Sequence, residues 1–176
     1  MAAALEVPTT LLEPLSEADR ALYVSLYCDP ETMRNVLPPC TPAGANAGFE
    51  ATLAACRAHR QYVWTIASAG QTRPFGLVGL VIAAREAEVG VMLPPARQGQ
   101  GHATRAISQV ANLAFDSLRL EALWTRHAEG HGLAAGLMSR LGFERQPEDR
   151  PPHAVRWRLP ASAWPGLRAD KPTSIG

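Results

Sequence analysis

Apolar residues recur along this chain at two different periods, and the change of period divides it. From Glu17 to Tyr27, the positions Ala18, Leu22, Leu26 and Tyr23, Tyr27 repeat at helical spacing, which predicts a helix. Ser16 precedes it as N-cap, with Asp19 three residues on in the manner of a capping box. Asp29-Pro30-Glu31 restarts a helix, with Asp29 as cap and Pro30 at the first helical position. Leu37-Pro38-Pro39 ends it, and a loop rich in Pro, Gly and Asn is expected to run to Asn46. Phe49 to Arg60 reads as a third helix. Thr9 to Pro14, before all of these, reads as a short edge-type strand.

Beyond Arg60 the pattern becomes that of strands. Tyr62 to Ser68 and Phe75 to Ala83 are β-rich runs joined by Ala69-Gly70-Gln71-Thr72-Arg73-Pro74, the spacing of a hairpin with a longer loop. Arg85 to Ala87 should turn into a third strand, Glu88 to Leu93, which Pro94-Pro95 stops. A helix from Ala103 to about Leu118 follows, with Ala103, Ile107, Val110, Ala111, Ala114 and Leu118 on one face. Leu123 to Arg126 is a short strand. Gly132 to Leu141 is a helix closed by Gly142. Phe143 to Arg145 and Val155 to Leu159 are the last strands, and residues 161–176 read as a tail. The order is helices, an antiparallel meander, then strand–helix–strand–helix–strand. It predicts an α+β class with a mixed, mostly antiparallel sheet flanked by helices. One parallel pair is expected, between Glu88–Leu93 and Leu123–Arg126, because a helical crossover is what parallel pairing requires.

Composition narrows the functions compatible with this order. A chain of 176 residues with 47% apolar residues suits one domain, its core at about 9–160. A net charge of +1, scattered arginines and a single lysine, Lys171, predict no nucleic-acid partner. Cys28, Cys40 and Cys56 show neither a disulfide framework nor metal-ligand spacing. His127 and His131 stand four apart, but no further ligands cluster with them, so no metal is expected. Met1 to Glu6 lacks the basic region of a secretory signal, and the longest mostly apolar run, Phe75 to Ala84, is too short for a membrane helix. A cytoplasmic protein without membrane contact is the expectation.

The loop Gln98-Gly99-Gln100-Gly101-His102-Ala103 carries the chemistry. At the start of a helix, successive backbone N–H groups lack intrahelical partners and the helix dipole adds partial positive charge. Glycines remove the Cβ that would block close approach. The result suits a pyrophosphate. Gly99-x-Gly101-x-x-Thr104, with Glu121 beyond it, is also close to a dinucleotide fingerprint. Pro94-Pro95-Ala96-Arg97 separates the loop from its strand, however, and a meander precedes it, so a nucleotide-dependent oxidoreductase is disfavoured.

Three segments together resemble the GNAT acetyltransferases: Glu88 to Leu93, Gln98 to Thr104, and Ser139-Arg140-Leu141-Gly142-Phe143. Residues 98–103 match that superfamily's Gln/Arg-x-x-Gly-x-Gly/Ala loop. Leu12 to Ser16 and Tyr27 to Met33 resemble the RimJ/RimL branch, the ribosomal-protein N-terminal acetyltransferase type. The resemblance implies the acyl-CoA N-acyltransferase fold, with the sheet splayed between its central strands. It implies acetyl-CoA as co-substrate, its pantetheine arm near the backbone of Met92 and Leu93. The pyrophosphate would rest on Gln98, Gly99, Gln100, Gly101, His102 and Ala103, with Thr104 following. It implies transfer to a primary amine, a small molecule or a protein N-terminus, by a monomer or homodimer.

Roles follow residue by residue. An amine protonated at neutral pH needs a base. Glu88 is the candidate, on one strand face with Gly90 and Met92; Glu86 is its rival. The tyrosine that often protonates the leaving thiolate in this family has no counterpart, since no Tyr follows Tyr62. The family's Asn-x-x-Ser motif becomes His131 and Ala134. His131 is therefore expected to contact pantetheine or to donate a proton. These departures keep open a catalytically silent, CoA-binding sensor or partner module. Trp64 and Trp157 are expected in the core, Trp124 at the splay, and Trp164 against the domain or a second chain.

Overall fold

Residues 10–71, 73–147 and 154–166 are described in the computed structural model of the chain. The first nine residues, Thr72, the segment 148–153 and the tail beyond Gly166 lie outside the described residues, and the readings of Met1 to Glu6 and of most of the tail fall there. Seven strands form one sheet in the order β1-β2-β3-β4-β5-β7-β6. They are β1 (Thr10–Pro14), β2 (Gln61–Ser68), β3 (Gly76–Ala83), β4 (Glu86–Met92), β5 (Ala122–Ala128), β6 (Glu144–Arg145) and β7 (Ala154–Pro160). Among the described residues only β4 and β5 pair in parallel; β1 lies at one edge, as expected. This is the α+β architecture that the pattern predicts.

Alternation along the strands supplies two hydrophobic faces. On one, Val78, Leu80, Val89, Leu123 and Leu159 meet Ile107 and Val110 of α4 (His102–Asn112) and Leu137 and Met138 of α5 (Gly132–Arg140). On the other, Leu77 meets Tyr23 and Leu26 of α1 (Arg20–Cys28) and Phe49 and Leu53 of α3 (Pro42–Arg57), with Met92 packed alongside. Phe49 is fully buried, and truncation to Ala at such a site costs about 3–5 kcal/mol. Between them, α2 (Pro30–Met33) is capped as expected: the Asp29 side chain accepts from the Thr32 N–H at 2.9 Å.

Three boundaries differ from the sequence expectation. The loop expected to reach Asn46 is already helix from Pro42. Thr41 caps it by accepting from the Gly44 N–H at 3.2 Å, and Pro42 sits in its first turn. Gly44, Asn46 and Gly48 are weak helix formers, but burial of Ala45 and Phe49 overrides them. β4 begins at Glu86, because Ala84 takes a left-handed φ of 57° and turns the hairpin in two residues. The helix expected to run to Leu118 gives way to a π turn, Leu113–Ser117, after Asn112. Trp164 packs back on that turn: its indole N–H donates to Asn112 at 2.8 Å, and its ring lies 6.4 Å from Phe115. Trp157 is buried as expected, and Trp64 packs half-buried against the core. Among the described residues no helix is long and apolar enough to cross a membrane.

The first residue of α4 ties the sheet edge to the loop before it. The His102 ring is 1% exposed, with Nδ1 at 3.0 Å from the Thr10 hydroxyl, Nε2 at 3.4 Å from the Ser68 hydroxyl, and its centroid 4.8 Å from Phe75. Burial, and then the nearby charges of Arg105 and Arg97, push its pKa below the ordinary imidazole value. The unfolded chain therefore binds this proton first. Stability is full above about pH 6.5 and falls as pH drops below it. The expected outcome is a melting temperature several degrees lower at about pH 5.5 than at about pH 7.5, and a smaller difference in His102→Gln. Thermal melts of both proteins at the two pH values check this.

Candidate active site

The parallel ladder is short. It registers Glu86 with Ala122, Ala87 with Leu123 and Glu88 with Trp124, and then stops. Each strand continues, β4 to Met92 and β5 to Ala128, held on its outer side by β3 and β7. Two strands that run on without pairing must diverge, so the sheet opens after Glu88. A cleft of ≈ 250 Å³ lies at this opening. Val91, Met92 and Leu93 line it with Gln98, His131 and Leu133, and Glu31, Thr32, Arg34, Asn35 and Val36, at and after α2, form a further wall. The structure thus brings Met92, Leu93, Gln98 and His131 together around one space.

The loop after β4 forms one edge of the cleft. Gln98 folds its amide back to donate to the Leu93 carbonyl at 2.9 Å, and Gln100 does the same to Ala96 at 2.8 Å. These bonds fix the loop against its strand. Gly99 and Gly101 have φ of 73° and 79°, a left-handed conformation that costs other residues roughly 1–2 kcal/mol. Gly101 is the N-cap of α4 and offers no capping side chain. The first N–H groups of α4, from His102, Ala103 and Thr104, therefore have no acceptor from a cap, which is the donor set an anion needs. Only the backbone of His102 is available there, because its ring is in the core.

Arg105, which the sequence reading did not single out, also faces this loop. Its Nη1 donates to the Gln100 carbonyl at 3.3 Å, while its Nη2 is buried without a partner. A Cβ placed on Gly101 would sit 2.4 Å from Nη1. The spacing of four from Gly101 is visible in the sequence; that the guanidinium folds back over the glycine is not.

His131 stands at the N-cap of α5 and lines the main cleft and a smaller one of ≈ 160 Å³ behind it. Burial, and then His127, hold its pKa below the ordinary imidazole value, so the ring is neutral at pH 7. A neutral imidazole offers one donor and one acceptor, much as an asparagine amide does. His127 is 5.9 Å away, edge to face. The Trp157 indole N–H donates to His127 Nε2 at 2.9 Å, and His127 Nδ1 lies 2.8 Å from the Ala128 carbonyl. Indole is a donor only, so this network fits the Nδ1–H tautomer. Among the described residues no group of three or more His, Cys, Asp or Glu side chains is placed to hold a metal ion.

Glu88 does not line the cleft with His131. It sits at the inner end of the opening, half-buried. The register places it with Gly90 and Met92 on the α1–α3 face, opposite Val81, Gly79 and Leu77. The loop and α4 lie on the other face. The opening is thus reached from both sides, with Glu88 on the side away from the loop. Arg126 Nε is 3.4 Å from its carboxylate. The rival Glu86 accepts from Arg158 at 2.7 and 3.3 Å.

The chain matches the family model described as "Acetyltransferase (GNAT) domain" over residues 10–144. Its fold is similar to that of the spermidine N-acetyltransferase from Vibrio cholerae in complex with CoA and spermine. That match has a TM-score of 0.76 at 19% identity and covers 88% of this chain and 96% of that one. An acetyltransferase from Agrobacterium tumefaciens str. C58 gives 0.75 at 22% identity, over 85% of this chain and 90% of that one. A GNAT-family acetyltransferase from Bacillus anthracis gives 0.75 at 13% identity, over 87% and 95%. The family match over residues 10–144, on a sheet that opens beside a glycine-turned helix start, places this chain in the GNAT acetyltransferase family, as an enzyme whose co-substrate is acetyl-CoA.

Proposed function

We propose that residues 9–160 form one N-acetyltransferase domain of the RimJ/RimL branch, acetylating a primary amine by direct attack in a ternary complex. The observation that carries this reading is the ladder interrupted after Glu88, with an anion loop on one face and a carboxylate on the other. The pyrophosphate rests on the N–H groups of residues 99–104, with Arg105 beside it; the Gln98 N–H, expected from the sequence to join them, is already given to the Pro95 carbonyl at 3.1 Å. The pantetheine arm lies along Met92 and Leu93, where β4 has lost its strand partner, and His131 contacts it from β5's side. The acceptor enters from the α1–α3 face. Glu88 takes the ammonium proton, directly or through water. The amine lone pair attacks the thioester carbonyl, and a backbone N–H near Met92 stabilises the oxyanion. The C–S bond then breaks, the thiolate leaves, and the second proton of the attacking nitrogen passes to it or to water, which leaves the neutral amide and CoA. No cysteine lines the cleft, which supports attack without an acetyl-enzyme.

A neutral His131 favours a holding role over proton donation. A thiol of pKa about 8.5 is a tolerable leaving group without an acid.

Three outcomes are expected. Calorimetry finds CoA binding in the wild type and none in Gly101→Val, whose fold, checked by circular dichroism, is retained; wild-type affinity in that variant would remove the loop from the pyrophosphate site. Glu88→Gln lowers kcat by about 100-fold or more with CoA affinity unchanged. A pH–rate profile the same as the wild type's would take Glu88 out of the base role. His131→Asn keeps most of the activity, whereas His131→Ala raises the KM for acetyl-CoA about tenfold. Equal KM values in all three proteins would show that His131 makes no contact with the co-substrate.

A further inference from the structure

The sheet face that carries Glu88 also carries a cluster of arginines with a defined arrangement. The β5–β7 register sets Trp124 opposite Arg158 and Arg126 opposite Arg156. Alternation puts these four on one face with Glu86 and Glu88. This is the face from which the acceptor enters, and beyond β4 it is open: the Arg126 side chain is 58% exposed and Arg156 is exposed.

Among the described residues, the charges there do not balance locally. Glu86 is held by Arg158 at 2.7 Å, and Glu88 lies 3.4 Å from Arg126. Arg156 has no carboxylate within ion-pair distance among the described residues. Its guanidinium lies 4.7 Å above the Trp124 ring, with that of Arg126 5.8 Å from the same ring. Glu144, exposed, stands opposite Arg158 on β6, one alternate position away, and forms no ion pair among the described residues. Like charges directly opposite on a sheet repel. Among the described residues, one carboxylate, that of Glu88, serves Arg126 and Arg156, and a second anion would relieve the two guanidiniums. The indole holds both planar forks near the sheet, which orders their donors in advance. Across the opening, Glu31 is likewise held by Arg34. Every one of these carboxylates except Glu144 is already matched to an arginine, so the surface is poorly suited to a polycation.

We infer that Arg156, with Arg126 and Trp124, forms a carboxylate-binding subsite beside Glu88, and that the acceptor is an amine carrying a carboxylate a few atoms from its nitrogen. This rests on the amine-acetylation reading above. Arg126 links the two stations: its Nε is 3.4 Å from the Glu88 carboxylate, and it stands directly opposite Arg156, which lies two strands from Glu88. Two sources supply that chemistry: a free amino acid, or a protein N-terminus whose first residue is Asp or Glu.

The test uses the full chain and two readouts. The first is kcat/KM with acetyl-CoA for free aspartate and glutamate, for asparagine amide and glutamine amide as their carboxylate-free analogues, for C-terminally amidated peptides beginning Asp or Asn, and for spermidine. The wild type is expected to prefer each carboxylate over its amide by about tenfold or more, and Arg156→Gln to lose that preference. Activity on the free amino acids identifies a small-molecule acceptor, and activity on the Asp peptide alone identifies an N-terminus. The second readout needs no turnover. N-acetylaspartate should shift the Trp124 indole NMR signal, assigned with Trp124→Phe, whereas the diamide N-acetylasparagine amide, which carries no carboxylate, should not, and Arg156→Gln should abolish the shift while still binding CoA. Absence of turnover on every amine with this selective shift intact would refute amine acetylation and keep the subsite. No selective shift, a preference for spermidine, or a carboxylate preference that survives in Arg156→Gln would overturn the subsite.

Discussion

The rest of the molecule depends on where the hydrogen bonding between β4 and β5 ends. Three residue pairs join these strands before they part. A sheet ordinarily keeps its ladders complete, because unpaired backbone groups away from water are costly. Here the outer neighbours carry the load. β3 registers with β4 over its full length, and β7 does the same for β5, so each strand stays extended where it faces its former partner across a gap. The open edge of β4 keeps donors and acceptors aligned for an extended ligand, much as an added strand would find them. The two helical layers cover opposite faces of the sheet: α4 and α5 pack on one, α1 and α3 on the other.

That opening explains why two different chemistries can meet at one place. The face with α4 ends in a loop of positive-φ glycines and free N–H groups, suited to phosphate. The opposite face presents carboxylates and arginines around Glu88. The proposed acetyl transfer uses this separation, since a polyanionic donor and an amine acceptor then approach without competing for the same surface. His131 sits beside the gap and is kept neutral by burial, so it neither repels an ammonium nor attracts a stray anion.

Much of this could be read before any coordinates. The strand and helix order, the Gln98–Ala103 loop and the α5 stop at Gly142 all rest on signals spanning a few residues, and such signals act locally in the folded chain too. Gly99 and Gly101 are legible because only a left-handed turn makes use of two glycines there. Asp29-Pro30 is legible because a cap and a first-turn proline act within four residues. The Pro42 helix start was not legible: Gly44, Asn46 and Gly48 argue for a loop locally, and the burial of Phe49 that overrules them involves residues far along the chain.

The amino-acid sequence by itself therefore determined the class of fold, the phosphate-suited loop and the strand that carries Glu88. Tertiary structure decided what surrounds them. It turned His102 into the core, laid Arg105 over Gly101, and linked Trp157 to His127 across 30 positions. It also set Arg126 opposite Arg156 and Glu86 beside Arg158. Each of these is a pairing of register or packing between separate elements. Local propensity cannot specify such pairings, because the closing interactions form only once the strands have chosen their neighbours.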